Sequence, residues 1–181
     1  MYIWRNKKNI IVVIVTIIAV IALILVLKRI QKRKWEEDKR EYLLDQQRCK
    51  EELEPLMEEA RSVMRGEKMA TDELEIYNFK KDLFEDVEEL DADVNIVVAD
   101  IKGNEGTIVV DYEIDRLNGN KKKISWAGGL CIWNIYKDTK NEWRVARIPY
   151  PEGADEEVEE INKMMKKMYK YKMVDDNWKY W

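Results

Sequence analysis

Residues Ile10 to Leu27, IIVVIVTIIAVIALILVL, form an eighteen-residue run without a charge, and Thr16 is its only polar side chain. As a helix rising about 1.5 Å per residue the run would reach roughly 27 Å, close to the hydrocarbon thickness of a bilayer. Apolar residues, many of them β-branched, would cover every face of that helix, whereas a helix lying on a soluble core needs only one apolar stripe. About 150 residues lie outside the run, too few to bury it on all sides. Directly behind it stands Lys28-Arg29-Ile30-Gln31-Lys32-Arg33-Lys34, a poor site for signal-peptide cleavage, and the first cysteine, Cys49, is too distant for a lipoprotein signal. The expectation is one uncleaved membrane anchor.

Arg5, Lys7 and Lys8 precede the run; Lys28, Arg29, Lys32, Arg33 and Lys34 come after it. Counting these charges puts the C-terminal side in the cytoplasm. Against that, the short basic arm is that of a signal anchor, long domains translocate with less regard for flanking charge, and Glu36, Glu37 and Asp38 dilute the second cluster. The first 34 residues hold eight basic side chains and no acidic one, so 24 of the 32 basic residues face all 36 acidic ones beyond them, a formal charge of −12. A domain so acidic repels phosphate backbones, which sets nucleic acid aside as a partner. The basic collar either stops the helix and sets topology or also attracts anionic head groups. Cys49 and Cys131 have no CxxC spacing and read as buried thiols more readily than as a disulfide framework.

From Gln31 to Arg65 the chain is rich in Glu, Lys, Arg, Leu and Gln and reads as helix. Trp35, Tyr42, Cys49, Leu56 and Val63 recur every seven residues, a possible coiled-coil seam that Lys39 and Gln46 weaken in its first half. Pro55 divides the segment into a stalk helix over 31–53 and a packing helix over 55–65 stopped by Gly66. A further helix is expected over Asp72 to Leu90, with Thr71 as its N-cap and Leu74, Tyr77, Leu83, Phe84, Val87 and Leu90 on its apolar face. Four strands come next. Val94–Ile101 leads through Gly103-Asn104 to a run in which Ile108, Val110, Tyr112 and Ile114 alternate with Val109, Asp111, Glu113 and Asp115. Asn118-Gly119 signals a hairpin, Lys122–Lys137 is a long third strand with a bulge expected at Gly128-Gly129, and Glu142–Ile148 is the fourth. Asp155 to about Tyr171 closes the pattern as a helix with Val158, Ile161, Met165, Met168 and Tyr169 on one face, before an aromatic tail.

Helices preceding a curved antiparallel meander define an α+β domain. The expected organisation is a basic arm over 1–9, a transmembrane helix over 10–27, a basic collar and helical stalk over 28–53, the α+β domain over 54–172 and the tail over 173–181. The ladder VNIVVADIKGNEGTIVVDYEID, the strand ISWAGGLCIWNIYK and the closing NEWRVARIP resemble the nuclear-transport-factor-two-like, or cystatin-like, fold across about residues 55 to 150. The arrangement of basic arm, single span, stalk and such a domain resembles, as an architecture, the bitopic scaffold proteins of bacterial conjugation and type IV secretion machinery. Richness in Lys, Ile and Glu agrees with a low-GC bacterium.

The chain has no histidine, which removes Ser-His and Cys-His nucleophilic pairs and histidine-ligated zinc. No glycine-rich phosphate loop stands between a strand and a helix. Some members of the resembling superfamily use a carboxylate base and a phenol donor between helix and sheet, for which Asp111 with Tyr136 is a geometrically conceivable pair; Asp111, Glu113 and Asp115 are otherwise the wet face of a strand. Trp126, Trp133 and Trp143 either pack across strands or line a pocket. Asp111, Trp126, Trp133 and Tyr136 are therefore the candidate ligand-binding residues, with no catalytic residue, metal ligand or cofactor expected. The function expected is a single-pass, non-catalytic interaction or assembly module with its domain outside the cytoplasm, touching the lipid bilayer and either a protein partner or a second stalk. The rivals are a surface-tethered small-molecule or peptide-binding domain and a cytoplasm-facing adaptor.

Overall fold

The apolar run is helical. In the computed structural model, which describes residues 2–70, 72–77, 89–148 and 154–171, helix α1 spans Tyr2–Met64. The chain divides into two compact units, Met1–Leu44 and Asp45–Trp181. In the first, every side chain from Val12 to Leu27 is exposed, and among the described residues this is the one helix long and apolar enough to cross a membrane. The Thr16 hydroxyl donates to the Val12 carbonyl at 2.9 Å, so the single polar group of the run is satisfied within its own helix. Lys28, Arg29, Lys32, Arg33 and Lys34 are all exposed, with Lys32 3.9 Å from Glu36 one turn on.

The second unit is an α+β domain on a four-stranded antiparallel sheet of order β1-β2-β3-β4, with β1 Glu89–Lys102, β2 Glu105–Leu117, β3 Lys123–Lys137 and β4 Trp143–Arg147. Period-two alternation builds its faces. Val94, Val110, Ile108, Trp133, Ile135 and Val145 lie on one of them, and the C-terminal part of α1 covers that face with Leu53, Leu56, Met57, Ala60, Val63 and Met64. On the opposite face Val98, Val109 and Ile132 form a buried row across three strands. Helix α2, Ala154–Lys170, packs over β1 and β3, burying Met165 and Met168, with Tyr171 buried just beyond its end. The Asp93–Asp111 end of that face lines a groove.

Several expectations change. Helix α1 does not break at Pro55; apolar residues on both sides of it, Leu53, Leu56 and Met57, are buried against the sheet and hold the helix through the lost hydrogen bond. Cys49, Leu56 and Val63 of the heptad stripe are consumed by this same core. Gly66 ends the helix as expected, at φ 71°, with its N–H bonded to Val63 and that of Glu67 to Ser62. Of the helix expected over Asp72–Leu90, the described start is a 3-10 turn at Glu73–Tyr77 and the end, Glu89 and Leu90, belongs to β1; residues 78–88 between them, Thr71 and the tail over 173–181 lie outside the described residues. Gly128-Gly129 is not a bulge. The β2–β3 register runs unbroken through Glu113↔Gly128 and Tyr112↔Gly129, and the shifts fall at Ile96/Val98, Arg116/Leu117 and, between β3 and β4, Asn134/Ile135. Gly128 is needed for another reason: a Cβ there would collide with the Tyr112 carbonyl oxygen. The Asn118 turn forms, but its left-handed residue is Lys121 at φ 57°, and the Asn118 side chain accepts from the N–H groups of Asn120 and Lys122.

Candidate functional site

On its core side the sheet is filled. Trp133 is wholly buried, its indole N–H donating to the Tyr77 hydroxyl at 3.3 Å, and that hydroxyl lies 3.4 Å from Cys131 Sγ. Burial pushes the Tyr77 phenol far above its ordinary titration range, and its ring stands edge-on to Tyr112 at 5.2 Å. Both cysteines are buried thiols. Trp133, expected among the ligand-binding candidates, is therefore a core residue: odd-numbered positions of β3 from Cys131 to Ile135 face α1.

The concavity lies on the other face. Asp93 and Asn95 of β1, Asp111 and Glu113 of β2, and Trp126 and Leu130 of β3 line a groove of about 360 Å³, floored in part by Gly128 and Gly129. Alternation places them together, since Asn95 pairs with Asp111, Asp93 with Glu113, and Asp111 with Leu130. Trp126 is 59% exposed, an unusual state for so large an apolar ring. The Asn95 amide donates to Asp93 at 2.9 Å. Lys123 bridges Glu113 and Asp115 at 2.5 and 2.6 Å, with its ammonium 5.9 Å from the Trp126 ring centre. Half-buried Asp111 is held above the usual carboxylate range, first by desolvation and then by the charges of Asp93 and Glu113. The lining carries no basic residue of its own.

Of the four candidates, the structure thus brings Asp111 and Trp126 together and separates the others. Tyr136 is on the same face, but it pairs with Glu105, six residues along β3 from the partner of Asp111. That spacing is about 20 Å in a strand, so no carboxylate–phenol pair forms. Asp93, Asn95, Glu113 and Leu130 complete the groove; the DADVN alternation of β1 carried the signal for the first two once Leu90 and Ala92 are taken as core positions. No group of three or more carboxylates and thiols among the described residues is arranged to hold a metal ion.

A second polar cluster joins α1 to the sheet edge. Glu52 accepts from Lys137 at 2.8 Å and from the Trp143 indole at 3.0 Å, and these hydrogen bonds hold it below the ordinary glutamate value. Arg144 meets Glu59, Asp138 and Glu142, while Asp138 is lowered chiefly by the N–H of Glu142 in the β3–β4 turn, then by that of Lys140 and by Arg144. These contacts fasten α1, β3 and β4 to one another. No protein-family model matches the chain, and no curated protein matches it in sequence.

Proposed function

We propose that this chain is a single-pass, non-catalytic interaction module, anchored by residues 10–27 with its α+β domain outside the cytoplasm. The observation that carries the reading is the apolar run itself: a helix without a charge whose side chains from Val12 to Leu27 are exposed all round. The short arm bearing Arg5, Lys7 and Lys8 stays in the cytoplasm, and the collar from Lys28 to Lys34, diluted by Glu36, Glu37 and Asp38, lies against the outer head groups. The meander with α1 laid on one face supports the resemblance to the nuclear-transport-factor-two-like fold, and the anchor-plus-domain plan supports the architectural resemblance to secretion scaffolds. A filled core side and an open, acidic outer face favour a surface that meets a macromolecule over a cavity that encloses a metabolite.

Alkaline carbonate extraction of membranes tests the anchor. The full chain is expected to stay in the pellet, and a Val20→Arg, Leu23→Arg double variant to move to the supernatant, since each arginine costs about 3 kcal/mol at a span's centre. Release of the unaltered chain by carbonate would refute the anchor.

A further inference from the structure

The two outer strands of the sheet are treated differently. The free edge of β1 is closed by α1: the Gln46 side chain donates to the Ala99 carbonyl at 2.8 Å and accepts from the Ala99 N–H at 2.9 Å, and Arg61 donates to the Val94 carbonyl at 3.1 Å. Asp91, Asp93 and Asp100 add exposed charges along it. The other side is less covered among the described residues. β4 pairs with Asn134–Lys137 of β3, so along Lys123–Leu130 the side of β3 away from β2 has no strand beside it among the described residues. That stretch also carries exposed Ile124 and Trp126. An edge of this length, without charges beyond Lys123, is a template for an added strand.

We propose that the Lys123–Leu130 edge of β3 takes up an extended segment of a partner protein, and that a lysine or arginine of that segment enters the groove between Trp126, Asp93 and Asp111. Gly128 makes this geometrically feasible. It stands opposite Glu113 and lines the groove with backbone alone, so no side chain of its own rises between the β3 edge and β2. A basic side chain on a strand added beside β3 must cross about 10 Å, two strand spacings, to reach β2, and only a long unbranched chain does so. Charge complementarity selects the cation: the lining holds three carboxylates and no basic residue, and of the three Glu113 is the one held in an ion pair among the described residues, by Lys123. The exposed face of Trp126 supplies a cation–π contact in the same place, as the nearby Lys123 ammonium already illustrates. Backbone pairing then gives affinity, and the groove gives preference for a basic residue.

The inference rests on the reading of the domain as an interaction module but not on the side of the membrane it occupies. The test uses the full chain in detergent micelles and immobilised pentapeptides Val-Thr-Xaa-Thr-Val with Lys, Arg, norleucine or Glu at Xaa. Retention on the Lys and Arg peptides is expected to exceed that on norleucine and Glu by about tenfold at low salt, to fall as salt rises, and to vanish when the residues flanking Xaa are N-methylated. Asp111→Asn and Trp126→Ala should each bring the Lys peptide down to the norleucine level while their melting midpoints show a folded domain. Equal retention of Lys and norleucine peptides, or indifference to Asp111→Asn or to N-methylation, would overturn the proposal. So would a dimer that dissociates on Trp126→Glu, because a second copy would then occupy the edge. None of these failures touches carbonate extraction, which reports on the anchor alone.

Discussion

At Asp111 the open face of the sheet meets its chemistry. Burial and the neighbouring carboxylates Asp93 and Glu113 raise its pKa, so the folded chain binds that proton more tightly than the unfolded chain does. Its contribution to stability is therefore unfavourable once pH rises through the folded value, and it disappears below the unfolded carboxylate value. Asp111→Asn should accordingly raise the melting midpoint at pH 7 and leave it unchanged at pH 3, even as it removes the site's charge. Asp138 has the opposite sign: lowered by the N–H of Glu142, it stabilises the folded chain above the ordinary aspartate value and loses that effect as pH falls through its folded one. Asp138→Asn should lower the midpoint at pH 7, with the difference closing in acid. In the core, Trp133→Ala removes a wholly buried indole and leaves the Tyr77 hydroxyl short of a donor. Denaturant titration should show a loss of about 3–5 kcal/mol, independent of pH across the neutral range.

Among the elements, α1 and β3 carry the sharpest tests. Pro55 sits inside a continuous helix and cannot donate to the carbonyl one turn back. Pro55→Ala should therefore stabilise the domain, by up to about 3 kcal/mol in denaturant titration; no gain would mean that Pro55 begins a separate helix. In β3, Gly128→Ala drives a methyl into the Tyr112 carbonyl and should destabilise by about 1–3 kcal/mol, whereas Gly103→Ala, with open space around the added atom but a left-handed φ of 68°, tests backbone strain alone. These two elements also show where the sequence is legible. The alternation of β2 and the Asn118 and Asp138 turns place the meander, because period two and turn chemistry are local. The continuity of α1 past Pro55 is not local; it depends on the burial of Leu53, Leu56 and Met57 against strands that begin only at Glu89. Trp126 and Trp133 look alike in sequence, yet their seven-residue separation puts them on opposite faces, and only the register against β2 reveals which face is dry. The start of β1 is hidden because Leu90 alone fits a helix stripe as well as a strand.

On the scale of the whole chain, the proposed anchor adds the bilayer as a second solvent. The run from Ile10 to Leu27 is legible as a helix long and apolar enough to cross a membrane because bilayer thickness fixes length and composition together. Side is harder to read, since the five basic residues after the run outnumber the three before it while the domain beyond is acidic. The structure suggests where to probe it. Asn118 holds its turn through two backbone hydrogen bonds, whereas Asn120 is exposed and donates only its N–H. A cysteine at Asn120, in a chain with Cys49 and Cys131 replaced by alanine, should react in intact cells with a membrane-impermeant maleimide. Labelling before lysis is the result that an outward-facing interaction module requires. Protection until the membrane is broken, followed by full labelling, would place the domain in the cytoplasm and contradict it.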